Sequence, residues 1–266
     1  MPRIQCKGFT LKRRILTAVV GIPLVTAILF GPPILTEIFI LLVGGGMAWE
    51  YGNVTGQTSP LARVILVGLV LGIVVLAAFL STAWLEVEFV ILIILTGIAI
   101  QTFFAQRPWV AVAPMYIGIG LACVVALRLL DEGQEWLVIL LAGTWATDTM
   151  ALFGGKTFGK TKLAPRISPG KTREGTAIGI VSGAVAILIA GALVGLLEKY
   201  TLTVVLAALL LPPLAVMGDL TESRLKRHYG KKDSGGLLPG HGGLLDRVDS
   251  TLFTATALWL LNVLTT

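Results

Sequence analysis

Residues 202–222 read LTVVLAALLLPPLAVMGDLTE, with no charged side chain before Asp219. An apolar run of about 18 residues or more can cross the hydrocarbon layer as a helix. Working outward, similar runs fill most of the chain. Of its 266 residues 55% are hydrophobic and 14% charged, and the mean hydropathy is +0.88. Soluble domains carry about 25% charged residues. A core of this size cannot hide so much apolar surface from water, so part of the solvent must be lipid.

The apolar runs predict nine spans, at about 14–31, 35–52, 62–84, 88–105, 109–130, 136–154, 175–197, 202–222 and 248–265. They are too long, and alternate too little, to be barrel strands. The fold class expected is all-α, a polytopic membrane protein with one membrane domain. Residues 1–13 form a basic interfacial leader, 14–135 the N-terminal helices, and 136–266 the helices that carry cytoplasmic loops 155–174 and 223–247. With the N-terminus in the cytoplasm and the C-terminus outside, nineteen of the 21 Lys and Arg residues lie inside. Only Arg128 and Lys199 then lie outside, as the positive-inside rule requires. The formal charge of +6 is therefore a one-sided field facing headgroups and soluble anions. No soluble basic domain exists to carry nucleic acid. Cys6 and Cys123 suggest neither a disulfide framework nor a metal site.

Chemistry concentrates where the span at 202–222 ends. Residues 223–249 read SRLKRHYGKKDSGGLLPGHGGLLDRVD, with six Lys/Arg and three Asp set among glycines. Asp219 sits near the cytoplasmic end of its span, where an acid is costly unless paired, metal-bound or wet. At helical spacing Asp219, Glu222, Ser223 and Lys226 share one face. Asp246 and Asp249 are three apart where the chain re-enters the membrane. Capping explains one such acid well and two less well. Hard oxygen donors suit Mg²⁺, which binds through few carboxylates plus substrate phosphates. Gly235, Gly236, Gly240, Gly242 and Gly243 allow positive φ and close approach, so an anion nest is expected there. Lys226, Arg227, Lys232 and Arg247 supply positive charge. His241 is read as shaping the loop or donating to a phosphate rather than as a general base.

The other loop contains GGKTFGKT at 154–161, a formal match to GxxxxGK[ST]. A P-loop is rejected because the motif follows a membrane span instead of a strand and runs into Pro165 and Pro169. Ser168 and Lys171, in SPGKTREG, form the denser cluster. Asp148, inside the span at 136–154, needs a partner that a lysine or a metal could provide. Glu50, in AWEY, reads as merely interfacial. Pro212 and Pro213 are expected to kink or break their helix. Gly175, Gly179 and Gly183 let helices approach closely, within the chain by preference or as a homodimer face.

The run Ser223-x-x-Lys226-Arg227-x₄-Lys232-Asp233-x-Gly235-x₃-Pro239-Gly240-His241-Gly242-Gly243-x₂-Asp246-Arg247-x-Asp249 resembles the signature of the phosphatidate cytidylyltransferase family. Asp148, 154–160 and Ser168-Pro169…Lys171-Thr172…Glu174-Gly175 resemble it too. Gly170 stands where relatives have a lysine, a mild departure. The resemblance covers much of the C-terminal half. It implies attack of phosphatidic acid on the α-phosphorus of CTP, giving CDP-diacylglycerol and pyrophosphate, with Mg²⁺ and possible help from a second cation. It places the enzyme in the inner membrane with its site facing the cytoplasm. Carried onto these positions, Asp219, Asp246 and Asp249 hold metal. Lys226, Arg227, Lys232 and Arg247 neutralise phosphate, while Ser223 and the 235–243 turn contact phosphate or metal-bound water. Lys171 with the 168–175 loop, near Asp148, closes the nucleotide side. A CDP-alcohol phosphotransferase would need a DGxxAR stretch, which is absent. A CTP-using lipid-alcohol kinase would release CDP instead. A transporter would scatter polar groups at mid-membrane, whereas here they crowd toward one face.

Overall fold

The computed structural model describes residue 25 and residues 27–56, 59–82, 114–237 and 242–265. Helices α1 (Pro33–Val54) and α2 (Pro60–Thr82) pair first. A π-helical turn (Pro114–Ile119) runs into α3 (Gly120–Arg128). Then come α4 (Gly133–Phe158), strands β1 (Lys162–Ala164) and β2 (Ser168–Thr172), and α5 (Arg173–Leu193). The short α6 (Leu196–Lys199) leads into α7 (Thr201–His228), and α8 (Leu245–Thr265) follows.

Six of these helices are long and apolar enough to cross a membrane: α1, Pro60–Phe79 of α2, α4, α5, α7 and α8. The spans expected at 35–52, 62–84, 136–154, 175–197, 202–222 and 248–265 each coincide with one of them. The leader at 1–13, most of the span at 14–31 and the span at 88–105 lie outside the described residues. The span at 109–130 is described only from Pro114, as the π-turn and α3. Among the described residues the architecture is all-helical apart from β1 and β2, an antiparallel hairpin with Lys162 opposite Thr172 and Ala164 opposite Ser168. The loop at 155–174 is therefore ordered by a sheet, and α7 and α8 extend well into 223–247.

α7 is not broken at Pro212 and Pro213; it runs through both. Pro212 fits beside Gly183 of α5, where an added Cβ would lie 3.1 Å from its Cγ. Gly179 packs against α4 so closely that a Cβ would sit 2.6 Å from the Thr147 carbonyl oxygen. At Gly175 the same atom would sit 2.6 Å from the Ala151 carbonyl oxygen. Small residues thus seat α5 on α4 of the same chain. Their face is filled from within and is not free to form a homodimer. Gly179→Leu is expected to lower the thermal unfolding midpoint in detergent, because a backbone carbonyl cannot yield as a side chain can. Overpacking of this kind costs about 1–3 kcal/mol, and an unchanged midpoint would exclude the seam.

Two further contacts tie the frame together. The Arg128 guanidinium donates to the Gly31 carbonyl at 2.7 Å, fastening the end of α3 to the segment before α1. Cys123 is buried and free in α3. At the far end from the hairpin, Glu132 accepts from Lys199 and, at 3.0 Å, from the Tyr200 hydroxyl. The Lys199 hydrogen bond is the main reason the Glu132 carboxyl titrates below its usual range.

Candidate active site

The polar face foreseen on α7 forms as its spacing dictates. The Ser223 hydroxyl donates to Asp219 Oδ1 at 3.2 Å. The Lys226 ammonium pairs with Glu222 Oε2 at 2.5 Å, again four residues apart. Lys226 also reaches Asp246 Oδ1 of α8 at 2.5 Å. The two helices meet closely at Gly218, where a Cβ would lie 2.8 Å from the Asp249 carbonyl oxygen. That approach sets Asp219 and Asp249 within electrostatic reach of each other, with Asp148 of α4 also in range. Tyr116, on the π-turn, donates to the Asp249 carbonyl at 3.4 Å. π-turns inside helices are frequent at functional sites.

The hairpin brings in the second loop. Lys171 on β2 extends to Asp219 Oδ2 at 2.6 Å. The Thr172 hydroxyl caps α5 by accepting from Gly175 N at 3.2 Å. The Glu174 carboxylate accepts from the backbone N–H groups of Lys160 and Thr161, so it closes the turn before β1. Arg227 Nε donates to the Ile167 carbonyl at 3.2 Å and its Nη1 to the Lys231 carbonyl at 3.2 Å. This arginine therefore fastens the hairpin to the end of α7.

Two lysine–carboxylate pairs result, and they differ in exposure. In the Lys171–Asp219 pair the side chains are 20% and 29% exposed. Around Lys226 they are 11% for the lysine, 1% for Glu222 and 13% for Asp246. The first pair is open to a ligand; the second is an internal anchor.

A family model described as the cytidylyltransferase family matches residues 12–265. The chain belongs to the cytidylyltransferase family. Among the relatives of this family member, a Bacillus subtilis (strain 168) protein named phosphatidate cytidylyltransferase is 42% identical over 180 residues, 66% of this chain and 66% of that protein. A Rickettsia felis protein of the same name is 33% identical over 205 residues, covering 73% of this chain and 90% of its own. A Brucella abortus one is 37% identical over 198 residues, 68% of this chain and 72% of its own.

In this cytidylyltransferase-family chain the signature loop is held by a residue read from sequence as merely interfacial. Glu50 of α1 is 1% exposed. Its Oε2 accepts from Leu245 N at 3.0 Å and the Ser234 hydroxyl at 3.3 Å, and its Oε1 from Leu237 N at 3.4 Å. Side chains at Gly235 and Gly243 would collide with the Glu50 carboxylate. These two glycines therefore answer a steric demand set by Glu50. Gly242 alone among the described residues of 235–243 takes positive φ, at 83°. Lys231 donates to the Asn53 carbonyl, so the end of α1 is bound to the loop twice.

The remaining predicted residues distribute unevenly. Arg247 is exposed at the start of α8, within electrostatic range of Asp148. Ser168 is half-buried in β2, and Lys232 is exposed beyond α7. His241 lies outside the described residues, with Pro239 and Gly240.

The three aspartates expected to hold metal do not converge as one ligand set. Asp246 commits Oδ1 to Lys226 and accepts from Gly243 N at 2.9 Å and Ser234 N at 3.2 Å through Oδ2. The bond to Gly243, three residues back, is the reach-back half of a capping box. Among the described residues no group of three or more His, Cys, Asp or Glu is gathered as a metal site. Asp219 and Asp249 do fit a hard cation, since Mg²⁺ is commonly held by one or two carboxylates and completed by waters and substrate phosphates.

Proposed function

We propose that this chain transfers the cytidylyl group of CTP to phosphatidic acid at the cytoplasmic face of the cell's inner membrane. A phosphate oxygen of the lipid attacks the α-phosphorus, the bond to the β-phosphate breaks, and pyrophosphate leaves. CDP-diacylglycerol stays in the bilayer. The observation that carries this reading is the open Lys171–Asp219 pair beside Asp249, at the ends of membrane-spanning helices. The names of the relatives supply the nucleotide and the lipid. The nine-span topology with a cytoplasmic N-terminus belongs to the same reading and rests on the distribution of basic residues.

Two anions must meet, so positioning and neutralisation carry the catalysis. Lys171 offers its ammonium to a phosphate at the open edge. Asp219 and Asp249 would hold the divalent cation, which when bound supplies charge neutralisation to the reacting phosphates. Arg247 adds positive charge at the mouth of α8. Lys226, clamped by Glu222 and Asp246, keeps the two helix ends at fixed distance. Arg227 keeps the hairpin, and so Lys171, against α7.

Purified protein in mixed micelles with phosphatidic acid, Mg²⁺ and cytosine-labelled CTP is expected to yield labelled lipid and an equal amount of pyrophosphate. Chelation with EDTA is expected to stop both, and Mg²⁺ to restore them. Label released as CDP, with the terminal phosphate on the lipid, would replace this reading by a lipid kinase.

A further inference from the structure

A cavity of about 600 Å³ lies between α7, α8, α1 and the π-turn. We propose that it receives an acyl chain of the lipid substrate, an assignment that rests on the cytidylyl-transfer reading above. Its shape and chemistry point to a hydrocarbon. Along α7 the wall runs from Leu225 through Glu222 to Leu214. At 1.5 Å per residue that is about 16 Å. Along α8, which runs the opposite way, it extends from Leu252 to Leu260, about 12 Å. One leaflet's hydrocarbon is roughly half of 30 Å deep. The cavity is thus as long as a leaflet is thick, and it lies parallel to the spanning helices as an acyl chain does.

The wall has one charged end. Glu222 lines the cavity and pairs with Lys226, which joins Asp246, so this end adjoins the site. The deep end is formed by Leu214, Ala257 and Leu260, and Leu260 is 39% exposed at the outer lip. Three hydroxyls of the wall are already donated. Tyr116 gives its proton to the Asp249 carbonyl, Thr221 to Met217 and Thr256 to Leu252. Water in the deep part would find few polar partners, whereas a hydrocarbon would meet an apolar wall. A lipid whose phosphate lies at the Asp219–Asp249 site, which Tyr116 of the cavity wall touches through the Asp249 carbonyl, would bury its tail here.

Ala257→Trp fills the deep end and leaves the charged end untouched. Turnover of dihexanoyl and dipalmitoyl phosphatidic acid is compared at matched mole fraction in micelles. The variant is expected to keep kcat/KM for the six-carbon lipid within about twofold. It is expected to lose about tenfold or more for the sixteen-carbon lipid, because two displaced methylenes are worth about 0.8 kcal/mol each. Ala257→Leu, a smaller intrusion, is expected to give the same selectivity to a lesser degree and guards against misfolding of the first variant. Equal losses for both lipids in the Leu variant, the outcome for a structural lipid or a second copy in the cavity, would overturn the assignment. So would equal retention in both variants. If the wild-type protein transfers label to neither lipid, the cytidylyl-transfer reading fails instead.

Discussion

Asp246→Asn is expected to abolish cytidylyl transfer while the helical frame stays folded. The substitution conserves shape and removes one charge and one acceptor. Asp246 meets the Lys226 ammonium with one oxygen and the Gly243 and Ser234 amides with the other. An asparagine must turn its NH₂ toward one of these, so a donor faces a donor in either orientation. Breaking a buried pair from one side costs about 3–5 kcal/mol. If about 4 kcal/mol of that falls on the arrangement of the α8 end, the rate drops by about three orders of magnitude. Lys226 retains Glu222, four residues away on its own helix, so α7 itself should persist. The checks are labelled-lipid formation, helical circular dichroism and the unfolding midpoint in detergent. Activity within tenfold of wild type in a folded variant would remove Asp246 from the site.

That result would also bear on what Asp246 does. The sequence offers capping and metal binding as alternatives for the 246/249 pair. In the structure Asp246 holds the loop and Lys226, whereas Asp249 and Asp219 approach each other across Gly218. Local periodicity made one half of this site legible. Asp219, Glu222, Ser223 and Lys226 lie within about two turns of helix, so their spacing alone predicts their contacts. Lys226 to Asp246 crosses twenty residues and a glycine-rich turn, which no period describes. The hairpin escaped for a different reason. KLA and SPGKT are too short to show alternation, and Pro169 and Gly170 argue against a strand. Its order comes from Thr172, which ties the end of β2 to α5, and from Glu174 and Arg227, which bind it from outside the sheet.

The helix ends were misplaced by the same reliance on hydropathy. α7 continues to His228 because the charged residues after Glu222 find partners on its own face or across it. Hydropathy sees only that the apolar run has stopped. Pro212 and Pro213 illustrate the converse. A proline removes one backbone donor, and tight packing against Gly183 lets the helix run on.

Glu50→Ala is expected to cost about as much activity as Asp246→Asn, although Glu50 stands 184 residues before its first partner, Ser234. One signal in the sequence did mark it. It is an acid in an apolar span, the same ground on which Asp148 and Asp219 were singled out. Removing it orphans the Ser234 hydroxyl and the Leu237 and Leu245 amides, each at about 1–3 kcal/mol where no water replaces the bond. It also leaves a void beside Gly235 and Gly243, both of which approach the Glu50 carboxylate. The loop should then open locally without melting the bundle. Transfer is expected to fall by about two to three orders of magnitude, by the same conversion of barrier into rate. Trypsin should cut faster after the exposed Lys231 and Lys232, since the Lys231 ammonium is bound to the α1 end that Glu50 helps to fix. Glu50→Gln keeps one acceptor oxygen and should fall between Ala and wild type in both measurements. Gly236→Ala, with nothing within 4 Å of the added carbon, is the neutral control. Wild-type transfer and unchanged trypsin cleavage in Glu50→Ala would show that the loop stands without α1, and that the first helices only enclose a site they do not shape.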